Sequence, residues 1–314
     1  MNIWQLLTSN QFIGTCLSLS IPILFASLAA LVSNKAGILN INIEGSMSVS
    51  ALMGALASFY IKSWAVGALC GVASGILMGM LLYYCAHNLK TNSVLSGVAL
   101  NIFATGLCVF VMQALLGSKG NTEAAPSTRI PDISIPFLKD IPLLGAVFEQ
   151  SVLFYLAVLS VVVVDVLLKR TKLGLRIRAV GYNPQASLSV GISVKKTQFT
   201  ALVIAGVFAG LGGVYMSMAY LGTFNSGMIA GRGFIGLAAE AMGSGIPYLT
   251  MLFTFIFGIV TAFSISAQTA LNVPYELLNT LPYLMTVIAL VIFSVRNKKR
   301  IQKRKDKDDE KSMA

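Results

Sequence analysis

Long apolar stretches that carry almost no charged residues recur from one end of the chain to the other. As helices rising about 1.5 Å per residue, most are long enough to cross a hydrocarbon core about 30 Å thick. Hydrophobic residues make up 56% of the sequence and charged residues 11%, whereas soluble domains carry roughly 25% charged residues. The sequence therefore predicts an all-α, polytopic integral membrane protein, a transmembrane helical bundle.

About nine transmembrane helices are predicted, and two of them are short or broken. The predicted crossings are 13–32, 46–61, 64–85, 93–116, 151–168, 197–221, 234–242, 247–268 and 282–295. The helices at 46–61 and 234–242 each follow a polar, glycine-containing segment, 36–45 and 222–233. By alternation they run in opposite directions, which indicates inverted halves with a solute site between them.

Glycines recur at short, helix-like spacing in two of the predicted crossings. They are Gly67, Gly71, Gly75 and Gly79 in one crossing, and Gly206, Gly210 and Gly213 in the other. Small residues on one face let membrane helices approach closely. We interpret both stripes as helix-packing faces.

The charged residues predict which loops lie inside the cell. The segment 169–196 has seven Lys or Arg and no acidic residue, and 296–314 has nine against four. The segment 117–150 has three basic and four acidic residues. Because positive charge marks the cytoplasmic side, we predict a permease domain at 1–295, with an external loop and a cytoplasmic loop, and a cytoplasmic tail that ends the chain. The net charge of +11 is therefore not an indication of nucleic-acid binding.

Several enzymatic and metal-binding classes are excluded. The sequence has no GxxxxGK(S/T) phosphate-binding loop, no HExxH and no GxSxG, and His87 is its only histidine. Its four cysteines lie in apolar stretches without a CxxC pair. We expect no catalytic residues, no metal and no cofactor, so the protein is not an enzyme; a transporter, a channel or a pump subunit remains.

A few polar residues lie in or beside the apolar stretches. Asn40, Asn42 and Glu44 precede the helix at 46–61, and Asn101 lies in the middle of the crossing at 93–116. One interpretation is structural: Glu44 caps a helix at the headgroup level and Asn101 bonds a neighbouring helix. The other is functional, because polar groups inside a membrane often face a translocation path.

The cytoplasmic loop contains a signal for a short helix. Asn183 and Pro184 are typical of the N-cap and first residue of a helix, here predicted at 185–190 and ending at Gly191. This turn is either incidental to a solvated basic loop or a docking helix for a cytoplasmic partner.

Four strings resemble one family of transport proteins. They are GILNINIEGSM, LKTNSVLSGVALN, LRIRAVGYNPQASLSVGI and GTFNSGMIAGRGFIGLAAEAMG. They are similar to the permease subunits of ABC importers for nucleosides, a group related to permeases for simple sugars and branched-chain amino acids. The resemblance covers about 37–268. Glu240 departs from it, since an apolar or small residue is expected there.

The resemblance implies a nucleoside permease in a bacterial plasma membrane, driven by ATP hydrolysis in a separate ATP-binding subunit. Two permeases pair, identical or different, with a heterodimer favoured, and an extracellular binding protein or lipoprotein delivers the solute. The short helix is then the coupling helix that contacts the ATPase, with hinges at its ends. These coupling residues are Gly181, Asn183, Pro184, Gln185, Ala186 and Gly191.

The candidate solute contacts are polar side chains that bond a nucleoside and aromatic rings that stack on its base. They are Asn40, Asn42, Glu44, Asn101, Phe224 and Phe234. Rival hypotheses are a permease for sugars or branched-chain amino acids, an ion-coupled secondary transporter using Glu44 and Glu240, and a purely structural membrane protein.

Overall fold

The protein is a bundle of helices with one small β-ladder. The computed structural model describes residues 10–134, 149–271, 280, 284–288 and 291. In chain order the elements are α1 (Asn10–Lys35), α2 (Ile43–Ile61), α3 (Trp64–His87), α4 (Ser93–Leu116), β1 (Asp132–Ser134), β2 (Glu149–Ser151), α5 (Val152–Arg170), α6 (Lys172–Tyr182), α7 (Pro184–Ser189), α8 (Val194–Val214), α9 (Arg232–Met242) and α10 (Pro247–Leu271). A π-helical turn, Tyr215–Tyr220, extends α8.

The described part of the chain contains six helices that are long and apolar enough to cross a membrane. They are α1, α3, α4, α5, α10 and α8 with its π-helical turn. The prediction of a multi-pass helical membrane protein is confirmed, but the count of nine is not. The crossing predicted at 282–295 and the tail at 296–314 lie largely or wholly outside the described residues, as does 135–148 of the predicted external loop.

Helices α2 and α9 are the short elements that the sequence predicts after its polar segments. With 11 residues, α9 is about 16 Å long, roughly half of a bilayer core. The chain before each helix is irregular, over 36–42 and over 221–231. Helix α2 begins at Ile43, three residues earlier than predicted, so Glu44 belongs to its first turn.

The helices that lead into the two irregular segments, α1 and α8, pack on elements far from them in the sequence. Helix α1 contacts α8, α9 and α10, whereas α8 contacts α1, α2 and α3. Helices α1 and α8 thus interlock the early and late parts of the described chain. Helix α1 is the most buried of the six long apolar helices, because 83% of its most apolar 18-residue stretch is buried.

The two glycine stripes are packing faces, and they meet each other at Gly75 and Gly206. A Cβ atom on Gly75 of α3 would lie 2.5 Å from the carbonyl oxygen of Gly206 in α8, and one on Gly206 would lie 2.7 Å from that of Gly75. Backbones in such contact leave no room for a side chain.

The segment 169–196 differs from the predicted loop because it contains two helices. Helix α6 was not predicted: its many basic residues suggested a solvated loop. Its buried residues Gly174, Ile177 and Val180 recur every three positions, which is a helical period. Helix α7 confirms the capping prediction, because Asn183 Oδ1 accepts a hydrogen bond from the Ala186 N–H at 3.0 Å and Pro184 is its first residue. Helix α7 ends at Ser189, one residue before its predicted end.

The ion pair that ends α5 is local, with Lys169 Nζ 2.6 Å from Asp165 Oδ1 one turn earlier.

The described part of the segment predicted to be external folds back onto the bundle. Strands β1 and β2 pair antiparallel, and Asn121 forms a β-bridge with Asn225 in the second polar segment.

We predict that Gly75→Ala destabilises the protein. The new methyl group collides with the α8 backbone, and overpacking of this kind costs about 1–3 kcal/mol. The apparent melting temperature in detergent should fall. The matched control is Gly106→Ala in α4, where a Cβ meets no atom within 4 Å. Equal melting temperatures for the two variants would contradict the packing.

Candidate functional site: the junction of α2 and α9

A single carboxylate joins the starts of the two short helices. Glu44 Oε1 accepts a hydrogen bond from the Gly231 N–H at 2.7 Å, and Oε2 accepts one from the Gly233 N–H at 2.7 Å. The first N–H groups of a helix lack partners within it and carry partial positive charge. Glu44 is therefore the cap of α9, supplied by another helix rather than by the preceding residue.

Glycine is required on the α9 side of this junction. A Cβ atom on Gly233 would lie 2.7 Å from Glu44 Oε2 and 2.8 Å from the Glu44 Cα. Gly231 has a left-handed backbone, with φ of +75°, which is costly for residues with a Cβ. Arg232 Nη1 donates to the carbonyl oxygens of Met228 and Ile229 at 2.9 and 3.0 Å. These bonds fix the loop that leads into α9.

Asn101 fastens the first polar segment to α4. Its Nδ2 donates to the Ile41 carbonyl at 3.0 Å, and its Oδ1 accepts from the Gly45 N–H at 2.8 Å. Both ends of the amide are used by backbone groups that the irregular chain leaves without helical partners. This geometry supports the structural interpretation of Asn101.

The other two asparagines also support the segment. Asn42 Nδ2 donates to the Met78 carbonyl of α3 at 3.0 Å. Asn40 Oδ1 accepts from the Asn42 N–H at 3.1 Å, closing a local turn. Both residues are buried, with 3% of Asn40 and 0% of Asn42 exposed.

The junction lies well inside the bundle. Asn101 is eight residues after the start of α4 and Met78 is nine residues before the end of α3. At about 1.5 Å per residue, both contacts are roughly 12–14 Å from those helix ends. Irregular backbone at such depth is tolerated where protein covers it or where it lines a cavity, and both conditions are met here.

A cavity of about 190 Å³ lies beside Glu44. Its walls come from α2, α4 and the loop before α9, and they combine one carboxylate, three hydroxyls, a thiol and an aromatic ring. The side chains are Glu44, Ser48, Thr105, Cys108, Phe224 and Ser226, with 227–230 completing the wall. Ligand sites usually enclose about 300–1,000 Å³, so the described residues form a recess rather than a complete site.

Two of the six predicted solute contacts, Glu44 and Phe224, line this recess. The other four do not: the three asparagines support the polar segment, and Phe234 lies elsewhere with 46% of its surface exposed. Solute contact by these four residues stays a prediction. Sequence reasoning missed Ser48 and Thr105, although each follows a selected residue, Glu44 or Asn101, by one helical turn.

Glu240 also pairs with a neighbouring helix. Its Oε2 accepts from Asn34 Nδ2 at 2.6 Å, and only 6% of Glu240 is exposed. The acidic residue that departs from the resembling family is thus held by a polar partner at the end of α1.

The predicted coupling residues lie near the same end of α1 as Asn34. Gly181 is in the last turn of α6, where a Cβ would lie 2.8 Å from the carbonyl carbon of Lys35 and 3.1 Å from the Gly37 nitrogen. Helix α7 exposes Gln185 and Ala186. Gly191 follows it with φ of +80°. The hinge roles of Gly181 and Gly191 stay predictions.

We predict that Glu44→Ala destabilises the protein. It removes two charge-assisted hydrogen bonds and leaves two N–H groups of α9 unpaired, and such bonds are worth about 1.5–3 kcal/mol each. The apparent melting temperature in detergent should drop by more than it does for Asp165→Asn. That control loses a carboxylate whose lysine partner is 56% exposed, a type of pair worth about 0–1 kcal/mol. An equal effect of both substitutions would show that Glu44 is not the cap of α9.

Comparisons with known proteins identify the family. The model of a family described as branched-chain amino acid transport system / permease component matches residues 12–291. The nucleoside ABC transporter permease NupC of Lactococcus lactis is 30% identical over 93% of this chain and 93% of its own length. The guanosine ABC transporter permease NupQ of Bacillus subtilis is 31% identical over 93% and 94%. A putative glucose ABC transporter permease, TsgC13 of Haloferax volcanii, is 32% identical over 87% and 88%.

A second permease of Lactococcus lactis, NupB, also matches, with 26% identity over 81% of this chain and 72% of its own length. The resemblance that the four sequence strings suggest is confirmed by these matches, which extend over nearly the whole chain. The chain belongs to the permease family of the branched-chain amino acid transport system, and it is a membrane-spanning permease subunit of an ABC transporter, not an enzyme.

Proposed function

We propose that this permease imports nucleosides across the plasma membrane, driven by ATP hydrolysis in a separate ATP-binding subunit. The observation that carries the proposal is α7, a capped helix that projects from the bundle in a chain without a phosphate-binding loop. Two of the similar permeases are named for nucleosides or guanosine. A sugar permease is the second candidate, because TsgC13 is named for glucose.

The surface around α7 suits a protein partner. Tyr182 is 94% exposed, Val190 74% and Leu188 59%, and seven basic residues lie within 169–196. Exposed apolar side chains beside a rigid helix are typical of a docking site. In our proposal Asn183, Pro184, Gln185 and Ala186 contact the ATP-binding subunit, on the same side of the membrane as the C-terminus.

The proposed complex also needs a second permease and an extracellular binding protein or lipoprotein. The small recess supports a second permease, because the described residues enclose less volume than a ligand site usually has. A different second permease is favoured, since NupB and NupC are two permeases of one organism.

The chemistry of the recess suits an uncharged polar solute. The two backbone N–H groups that bind Glu44 compensate its charge, so hydroxyls supply most of the remaining polarity. In our proposal Ser48, Thr105 and Ser226 hydrogen-bond the solute while Phe224 contacts a flat base. Nucleosides offer both hydroxyl groups and a flat base, whereas glucose offers hydroxyls but no base.

Reconstitution tests the function. The chain is placed in proteoliposomes with the ATP-binding subunit, second permease and binding protein encoded beside it, and uptake of radiolabelled guanosine, uridine, glucose and leucine is measured. We expect ATP-dependent uptake of the nucleosides only. Accumulation by the chain alone under an ion gradient would establish a secondary transporter, and uptake of glucose without nucleosides would establish the sugar permease.

A second prediction concerns Thr105. Thr105→Val should lower the rate of nucleoside uptake by about fivefold at saturating binding protein, because a neutral hydrogen bond is worth about 1 kcal/mol. Thr200→Val is a matched control. Both are helical threonines, Thr105 exposed and Thr200 half-buried, that donate to the carbonyl four residues earlier, at 3.0 Å for Thr105 and 2.9 Å for Thr200. Equal rates in the two variants would remove Thr105 from the solute path.

A further inference from the structure

We infer that α9 is a rigid link between the cytoplasmic helices and the solute recess, with Asn34 and Glu240 as the positioning residues at its cytoplasmic joint. The inference rests on the proposed function and adds the route by which movement at the ATPase reaches the solute. Three contacts in series support it: α6 on the end of α1, the end of α1 on α9, and α9 on Glu44.

The first contact joins α6 to the turn that follows α1. A Cβ atom added to Gly37 would lie 3.2 Å from the Cα of Gly181, so the two backbones are in close contact. Gln198 Nε2 of α8 holds the same turn by donating to the Ala36 carbonyl at 3.0 Å. Because backbone touches backbone here, a displacement of α6 displaces the end of α1.

The second contact joins the end of α1 to α9 through Asn34 and Glu240. Their bond of 2.6 Å is charge-assisted and nearly excluded from water, since Glu240 is 6% exposed. Charge-assisted hydrogen bonds are short and roughly twice as strong as neutral ones. The positive charge of Lys35 also attracts Glu240.

Helix α9 itself is closely packed along α1. A Cβ on Gly236 would lie 2.6 Å from the Ala26 Cβ and 2.8 Å from the Ser27 nitrogen. Close-packed interiors transmit strain because they compress little. Helix α9 therefore moves as a body rather than bending between its two ends.

The third contact is the Glu44 junction. The N-terminal end of α9 is bound to Glu44, and the loop immediately before it, 227–230, is a wall of the recess. A shift of α9 along or around α1 changes the shape of the recess without any contact between the solute and Asn34 or Glu240. These two residues therefore position the recess wall and do not bind solute.

The test measures conformational coupling without relying on the identity of the solute. In the full complex with its ATP-binding subunit, the four cysteines Cys16, Cys70, Cys85 and Cys108 are replaced by serine or alanine. Ser226→Cys then places a thiol on the exposed rim of the recess. The rate of its modification by a small methanethiosulfonate reagent is measured with and without ATP plus vanadate, alongside ATP hydrolysis.

We expect Glu240→Ala to reduce the ATP-dependent change in labelling rate by about tenfold, within the range of measured coupling free energies, while the complex still hydrolyses ATP. Asn34→Asp should do the same, because it places two carboxylates together. Combining Asn34→Asp with Glu240→Gln restores an amide–carboxylate bond with the partners exchanged, and the labelling change should return. A purely structural role does not predict this rescue.

Thr254→Val is the matched control, because it removes another buried hydrogen bond of α1, that between Ser27 Oγ and Thr254 Oγ1 of α10 at 3.3 Å. Its ATP-dependent change in labelling rate should equal that of the parent complex, which carries Ser226→Cys without a further substitution. The link is overturned, and the proposed function is not, if Glu240→Ala keeps the full ATP-dependent change in labelling rate. The same holds if the exchanged pair fails to restore that change. If the complex with Glu240→Ala fails to assemble, the test rests on the variant that combines Asn34→Asp with Glu240→Gln: a restored labelling change supports the link, and an absent one overturns it. Failure of the parent complex to bind the ATP-binding subunit overturns the proposed function and the link with it.

Discussion

The Glu44 carboxylate is the interaction on which the centre of the structure depends. Two helices begin at this point, and helix starts carry unpaired N–H groups and partial positive charge. Placing two such ends side by side inside an apolar bundle is unfavourable unless an anion lies between them. Glu44 is in the first turn of α2 and caps α9 at 2.7 Å through both oxygens, so one side chain stabilises both helix starts.

The asparagines show a related use of polar residues in an apolar protein. Asn101 binds backbone groups that the break between α1 and α2 leaves without helical partners, and Asn42 binds the Met78 carbonyl of α3. An unpaired buried backbone group costs about as much as a lost hydrogen bond. Asparagine side chains of the first polar segment and of α4 thus offset the cost of interrupting a helix inside the bundle. No asparagine among the described residues lines the recess, whose polar side chains are Glu44 and three short hydroxyls.

Local features of the fold could be predicted from the sequence, whereas its long-range pairings could not. Hydropathy located the helices, and Asn183-Pro184 located the start of α7, because both signals act over a few residues. Helix α6 was missed because its basic residues concealed three buried positions. The bond between Asn34 and Glu240 joins residues 206 positions apart, and no local pattern reports such a contact. Glu44 was selected as a site residue, but its capping of α9 became visible only in three dimensions.

The packing of α1 against helices made much later has a consequence for biosynthesis. Helix α1 leaves the ribosome well before its packing partners α8, α9 and α10, which begin more than 150 residues later. Contacts of such wide sequence separation form slowly. Until then the buried serines of α1, Ser20, Ser27 and Ser33, face lipid or the insertion machinery. The nascent bundle therefore stays open until α8, α9 and α10 have been made, and helices α1 to α4 cannot mature as a separate folding unit.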